Sequence, residues 1–279
     1  MNAILSTDPL LNTALLQTVV QIARDASAAI MQVYASEFAV DHKSDASPLT
    51  LADREAHRII TTGLQQLTPT IPVLSEESPA AHHAYATRQH WSQFWLVDPL
   101  DGTREFVQRN GEFTVNIALI RQHRPVLGVI TIPATDVVYC GAQGLGAQRS
   151  AGMQTTTLHV RRPAAKPPVI VGSRSHRGDS LDAFLQRIGP HELCAVGSAL
   201  KFCRIAEGSA DCYPRLSPTS EWDTAAGQAI VEAAGGQVLD LAGQPLCYNQ
   251  RESLLNPSFI AIGDPALVWQ AAATPKLHG

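Results

Sequence analysis

The hydrophobic period of this chain changes near residue 70, and the change limits what it can fold into. Upstream, Leu15, Val19, Ile22, Ala26, Ile30 and Val33 recur every three or four residues, predicting a long amphipathic helix over about 9–35. A second stripe in "SPLTLADREAHRIITTGLQQL" (Ala52, Ala56, Ile59, Ile60, Gly63, Leu64, Leu67) predicts another helix, with Thr50 and Asp53 spaced like a capping box at its start. Downstream the period shortens toward two. "IPVLSEE", "QFWLVDP", "FTVNIALI", "PVLGVITIP" and "DVVYCGA" are short, β-rich and divided by turn residues, so they read as strands of one sheet.

The Pro-rich segment "RRPAAKPP" (161–168) interrupts that pattern and is the best candidate for a boundary, dividing the chain into an α+β half over 1–162 and an α/β half over 163–279. Beyond it, strands and helices alternate: strand "VIVGSRS", helix about 179–188, strand "CAVG", helix about 199–208, strand "DCYPRL", helix about 223–234, then strands near 237–241 and 258–262. Alternation of this kind predicts a mixed sheet covered by helices. The glycines of "GAQGLGAQR" sit among strands and open no helix, so they read as hairpin turns and not as a dinucleotide loop.

The balance of charge excludes some functions. With 21 basic and 25 acidic side chains and no long run of either sign, the chain offers no broad basic face for a nucleic-acid polymer. It has no apolar run long enough to span a membrane, and "MNAILSTDPLLN" lacks the basic flank of a secretory signal, so a cytoplasmic location is expected. The five cysteines form no C-x-x-C pair and read as reduced packing residues.

Chemistry enters with "WLVDPLDGTREF", where an apolar strand runs into Asp98 and Asp101. Pro99 fixes its own φ and donates no N–H, so "DPLDG" is expected to be a turn where the strand stops and both acids converge. "VLSEES" likewise drives a strand into Glu76 and Glu77, and "SEWDTAAGQAIVEAAGG" sets Asp223 at the mouth of a small-residue helix, where it also suits an N-cap. If Glu76, Asp98, Asp101 and Asp223 meet, their repulsion requires cations. All-oxygen ligands select a hard ion such as Mg²⁺, and paired ions suit hydrolysis of a phosphate ester.

Glu-Glu, then D-P-L-D-G-T, then W-D-x-A-A-G, in that order, resemble the three motifs of the lithium-sensitive, magnesium-dependent phosphatase superfamily that includes inositol monophosphatase. The resemblance implies a layered α-β-α-β-α sandwich of the inositol monophosphatase and fructose-1,6-bisphosphatase type, with the site between the halves. It implies two or three Mg²⁺ ions held by Glu76, Asp98, Asp101, Asp223 and the Leu100 carbonyl, with Asp98 bridging two of them. Asp53 and Thr103 correspond to the pair that orients and deprotonates the attacking water, and Glu77 to a supporting position. The phosphate would rest on the amides of Gly102 and Thr103.

Within the superfamily, Ser198-x-x-Lys201, with Arg215 fourteen residues beyond the lysine, resembles the nucleotide-binding positions of the 3'(2'),5'-bisphosphate nucleotidases, and "TSEWD", with an acid directly before Trp222, resembles their bacterial branch. A substrate with two phosphates needs cationic donors for the one left intact, and Lys and Arg supply them, although such residues are more often solvated surface groups. "SRSH" adds Ser173, Arg174 and His176 by analogy, and Glu221 either contacts a ribose or faces water. His82 and His83 are expected in a mobile loop beside the cleft, not as a ligand pair.

The implied reaction is hydrolysis of the 3'-phosphate of adenosine 3',5'-bisphosphate to AMP and phosphate, clearing a by-product of sulfate assimilation. Another phosphatase of the superfamily, acting on inositol or sugar phosphates, and a non-catalytic Mg²⁺ or nucleotide sensor stand as rivals. Homodimerisation and peripheral membrane association stay open.

Overall fold

A computed structural model describes residues 11–35, 40–42, 48–173 and 179–266. The first helix, α1 (Thr13–Tyr34), starts later than its periodicity predicts because Asn12 caps it, its side chain accepting the Leu15 N–H at 2.9 Å. The short antiparallel pair β1 (Val40–His42) and β2 (Pro48–Thr50) leads into α2 (Leu51–Leu67). The Thr50 side chain expected to cap α2 lies outside the described residues.

The chain then builds a seven-stranded sheet. β3 (Val73–Ser75) is followed by two single-turn helices, α3 (Ala80–His83) and α4 (Tyr85–Arg88), then by β4 (Gln93–Asp101) and α5 (Thr103–Val107). A meander completes the sheet: β5 (Thr114–Arg121), β6 (Arg124–Ile132), β7 (Val137–Ala142), β8 (Gly146–Ala151) and β9 (Gln154–Leu158). Strand order follows chain order, with only β3 and β4 parallel. The predicted glycine hairpin joins β7 to β8. β9 escaped the periodicity because its Gln154 to Thr157 run is polar and exposed.

A five-stranded mixed sheet follows the Pro-rich segment. Its elements are β10 (Val169–Ser173), α6 (Asp179–Ile188), β11 (Glu192–Val196), α7 (Leu200–Ala206), β12 (Cys212–Arg215), α8 (Ala225–Ala233), β13 (Gln237–Asp240) and β14 (Phe259–Ile262), in spatial order β11-β10-β12-β14-β13.

Alternation along the strands sets the layers. Trp95, Val97, Val115, Ile117 and Leu119 face α1 and α2, packing with Val19, Ile30, Ile60 and Leu64. Their neighbours Phe94, Leu96, Ala118 and Ile120 point the other way, onto Phe202 and Ile205 of α7 and Ala226 and Ile230 of α8. The small sheet meets that helix layer with Val171, Tyr213, Phe259 and Ala261 and buries Ile170, Cys212, Ile260 and Ile262 against Phe184 and Leu185 of α6. The result is the five-layer α-β-α-β-α sandwich. Each large side chain so buried stabilises by about 1.5–3 kcal/mol.

The small-residue run opening α8 has a physical cause. A Cβ on Gly128 of β6 would lie 2.3 Å from the Ala226 carbonyl oxygen, so helix and strand touch backbone to backbone. That approach carries the turn before α8 over the end of β4. Among the described residues no helix is long and apolar enough to cross a membrane.

Candidate active site

Strand β4 brings its two aspartates together through a bulge. Asp98 pairs with Asn116 and Asp101 with Thr114, so three residue steps on β4 match two on β5. A regular strand would send residues 98 and 101 to opposite faces; the one extra residue returns Asp101 to the face of Asp98, while Leu100 packs into the core under α1 and α2. The expected terminal turn at "DPLDG" is therefore corrected: the strand continues through it to Asp101. Pro99 is tolerated because a bulge does not demand its missing N–H. The Leu100 N–H donates to Asp98 Oδ1 at 3.1 Å, fixing the carboxylate over the bulge.

One carboxylate oxygen from each of Asp98, Asp101 and Asp223 lies within 4.8 Å of the others. Asp223 ends a 3₁₀ turn (Glu221–Asp223) just before α8, and its side chain accepts the Ser220 N–H at 2.9 Å and the Thr219 hydroxyl at 2.5 Å. The expected N-cap is therefore corrected: Asp223 is the third residue of a capping box on Ser220, α8 itself is preceded by Thr224 with no side-chain cap bond, and the same Asp223 carboxylate joins the acid cluster. Glu76 follows β3, its N–H donating to the Val97 carbonyl at 3.0 Å, next to Asp98. Asp53, buried in the first turn of α2, also bears on Asp98, as does Glu76.

Beside the acids stand the cations. Lys201 of α7 is only 6% exposed, which overturns its reading as a solvated surface group. Its Nζ donates to the Ser198 carbonyl at 2.5 Å and sits 5.6 Å from the centre of the Tyr213 ring, and it feels the charges of Asp101, Glu105, Asp223 and Arg215. Arg215, half-buried at the end of β12, donates to the Pro218 carbonyl at 2.8 Å and has its Nε buried without a hydrogen-bond partner.

Ser198 holds the two sides together. At φ 46° its hydroxyl lies 3.1 Å from the Asp101 carbonyl oxygen and 2.7 Å from that of Glu112, while the neighbouring Gly197 N–H donates to the Glu112 carboxylate at 2.8 Å. This crossing requires a glycine at 102, where φ is 85° and a Cβ would fall 2.1 Å from the Ser198 hydroxyl. Thr103 then opens α5, half-buried beside the bulge.

Residues 11–272 match the profile of the inositol monophosphatase family. The chain belongs to that family. The 3'(2'),5'-bisphosphate nucleotidase CysQ of Salmonella typhimurium is 53% identical over 247 residues, covering 88% of this chain and 98% of that protein. The protein of the same name from Escherichia coli K12 is 51% identical with equal coverage. The crystal structure of CysQ from Bacteroides thetaiotaomicron superimposes with a TM-score of 0.79 at 40% identity, covering 91% of this chain and 98% of that one.

For this family member the acid cluster poses an electrostatic problem. Burial, then the charges of Glu76, Asp101, Asp223 and Asp53, pushes the Asp98 carboxyl well above the usual carboxylate range. Asp101 is pushed up to about 7 by burial and by Asp223, against the pull of Lys201 and the Asn116 amide. Burial raises Asp223 too, despite its donors Thr219 and Ser220. Three converging carboxylates with oxygen-only donors fit a divalent cation, which removes this cost.

A carboxyl with a raised pKa binds its proton more tightly when folded, so the metal-free protein gains stability as pH falls through that value. Lys201, lowered to about 8 by burial, acts oppositely but chiefly above pH 8. In chelator, the melting temperature is expected to rise between pH 8 and pH 6.5, and saturating Mg²⁺ to flatten that rise, because the metal takes deprotonated ligands. A metal-free protein that loses stability over the same interval contradicts this electrostatic account.

Other expectations need correction. The stretch expected as a mobile loop holds α3 and α4; within it His82 is exposed, whereas the His83 Nε2 lies 2.8 Å from the Ser75 carbonyl oxygen. Glu221 neither faces water nor is open to a ribose: it is fully buried and accepts the Asn249 N–H at both oxygens (3.1 and 2.9 Å). His176 and Arg174 lie outside the described residues, as does the side chain of Ser173.

Sequence reasoning missed Glu105, Asn116, Glu112 and Arg88. Glu105 acts on Lys201, and an acid three residues past Gly102, in the first turn of α5, is a signal that was available. Asn116 could be found only through the register that sets it opposite Asp98.

Proposed function

We propose that this chain is a 3'(2'),5'-bisphosphate nucleotidase that hydrolyses the 3'-phosphate of adenosine 3',5'-bisphosphate, releasing AMP and inorganic phosphate. The observation that carries the reading is the convergence of Asp98, Asp101 and Asp223 beside a buried lysine: a metal-ready acid cluster and an anion-seeking cation on one wall. The CysQ relatives, matched over nearly their full length, support the nucleotide as substrate.

In this mechanism Glu76, Asp98, Asp101, Asp223 and the Leu100 carbonyl would hold two or three Mg²⁺ ions. Bound magnesium supplies counter-charge and Lewis acidity to the phosphoryl oxygens and to the water that attacks phosphorus. Asp53 and Thr103 orient that water and receive its proton. The amides of Gly102 and Thr103 face the phosphate oxygens. The water oxygen forms the new bond to phosphorus, the bond to the 3'-oxygen breaks, and that oxygen leaves with a proton. Lys201 and Arg215 neutralise the 5'-phosphate that remains, with Ser198 positioning Lys201 through its carbonyl.

A substrate panel at fixed Mg²⁺ tests this. Adenosine 3',5'-bisphosphate should be hydrolysed far faster than inositol 1-phosphate. Lys201→Ala should raise KM for the bisphosphate roughly 10- to 100-fold, the worth of about 1.5–3 kcal/mol for a charged hydrogen bond, and should change KM for a simple monophosphate little. Equal turnover of the two substrates would return the chain to the inositol phosphatases. Nucleotide binding without phosphate release would make it a sensor.

A further inference from the structure

Glu76 follows a strand of the seven-stranded sheet and Asp223 ends the turn before α8, so the two lie far apart in the chain, yet one short segment between β3 and β4 touches the neighbours of both. On one side is Ser75, the fully buried residue before Glu76. Its carbonyl lies 2.8 Å from His83 Nε2, and since a carbonyl only accepts, that nitrogen carries the proton. Its hydroxyl lies 2.9 Å from Nδ1 of His57, which stands one helical turn beyond Asp53 on α2.

On the other side is Trp222, the residue before Asp223, whose ring centre lies 5.6 Å from that of His83 at an angle of 32°. A chain of bonds closes the loop behind it. The His83 carbonyl accepts from Arg88 Nε at 2.9 Å. The fully buried Arg88 guanidinium donates to Asn249 Oδ1 at 2.6 Å, to the Arg251 carbonyl at 3.0 Å and to the Glu252 carbonyl. Asn249 in turn donates its N–H to Glu221, the other neighbour of Trp222. His83 therefore faces both acid-bearing segments, and Arg88 pins its backbone.

We propose that His83 is a positioning residue that sets the separation of Glu76 from Asp223 and thereby the affinity of the acid cluster for a divalent cation. The inference rests on the reading of those acids as metal ligands. Like charges drawn together repel, so a cluster without a brace relaxes apart and must be gathered again when a cation binds. A preorganised cluster avoids that cost. Partners that orient ligands from behind typically change metal affinity 10- to 100-fold.

The test is calorimetric titration of Mg²⁺ into chelator-stripped wild type and three variants, with the melting temperature of each metal-free protein measured alongside. H83A is expected to bind Mg²⁺ about tenfold more weakly. H83Q keeps a donor for the Ser75 carbonyl and H83F keeps a ring for Trp222, so each should recover part of the loss. A role as mere packing would instead lower the metal-free melting temperature and leave affinity alone. H83A within about twofold of wild type overturns the proposal whatever its melting temperature. If H83A does not fold, the same limit applied to both H83Q and H83F decides. Wild type that takes up no Mg²⁺ overturns the metal reading itself, and the proposal with it.

Discussion

Asp98→Asn is expected to lower kcat/KM by roughly 10³-fold or more, about 4 kcal/mol in transition-state stabilisation, in a protein that remains folded. Glu76, Asp101, Asp223 and Asp53 all act on Asp98, which places it at the centre of the cluster. Asparagine preserves shape and can still accept the Leu100 N–H, but it removes the charge that a shared cation would bridge. The same removal relieves repulsion. The metal-free variant at pH 8 should melt at or above the temperature of metal-free wild type, and added Mg²⁺ should stabilise it less. A variant that keeps near-normal turnover rejects the central placement of Asp98, and one that simply fails to fold rejects the electrostatic account of the cluster.

Asp53→Asn is expected to lower kcat by roughly 10²- to 10³-fold while leaving Mg²⁺ affinity within a few-fold of wild type. Asp53 is buried at the start of α2, on a different element from the β4 bulge and the turn before α8. In the proposed mechanism it serves the attacking water with Thr103, so its amide should fail at proton transfer and not at binding. Its field does reach Asp98, which is why some change in metal affinity is expected. Thr103→Ala should lower kcat in the same direction. Collapse of Mg²⁺ binding in Asp53→Asn, with kcat preserved at saturating metal, would make Asp53 a ligand and leave the water without its assigned base.

The legible parts of this chain were those governed by local period and by residue chemistry. The stripes of α1 and α2, the strands from β3 to β7 and the alternation after residue 168 all follow from side-chain spacing. The acids announced themselves because carboxylates at the end of apolar strands are costly. What stayed hidden depends on register or on distant partners. The β4 bulge is visible only as a mismatch with β5, so the sequence suggested a turn. Glu221 looked like an exposed acid because nothing nearby reveals that Asn249, 28 residues away, and beyond it Arg88, cover it. Lys201 was ambiguous for the same reason, since the Tyr213 ring of β12 and the charge of Asp101 reach it from other elements.

The most direct test is a crystal of this protein soaked in Mn²⁺ and measured at the manganese absorption edge. Anomalous density within about 2.0–2.6 Å of carboxylate oxygens from Asp98, Asp101 and Asp223 is the expected result, since Mn²⁺ shares the hard oxygen ligands of Mg²⁺. An occupied Mn²⁺ elsewhere, with the Asp98 bulge and the Asp223 turn bare and their carboxylates turned apart, would contradict the account.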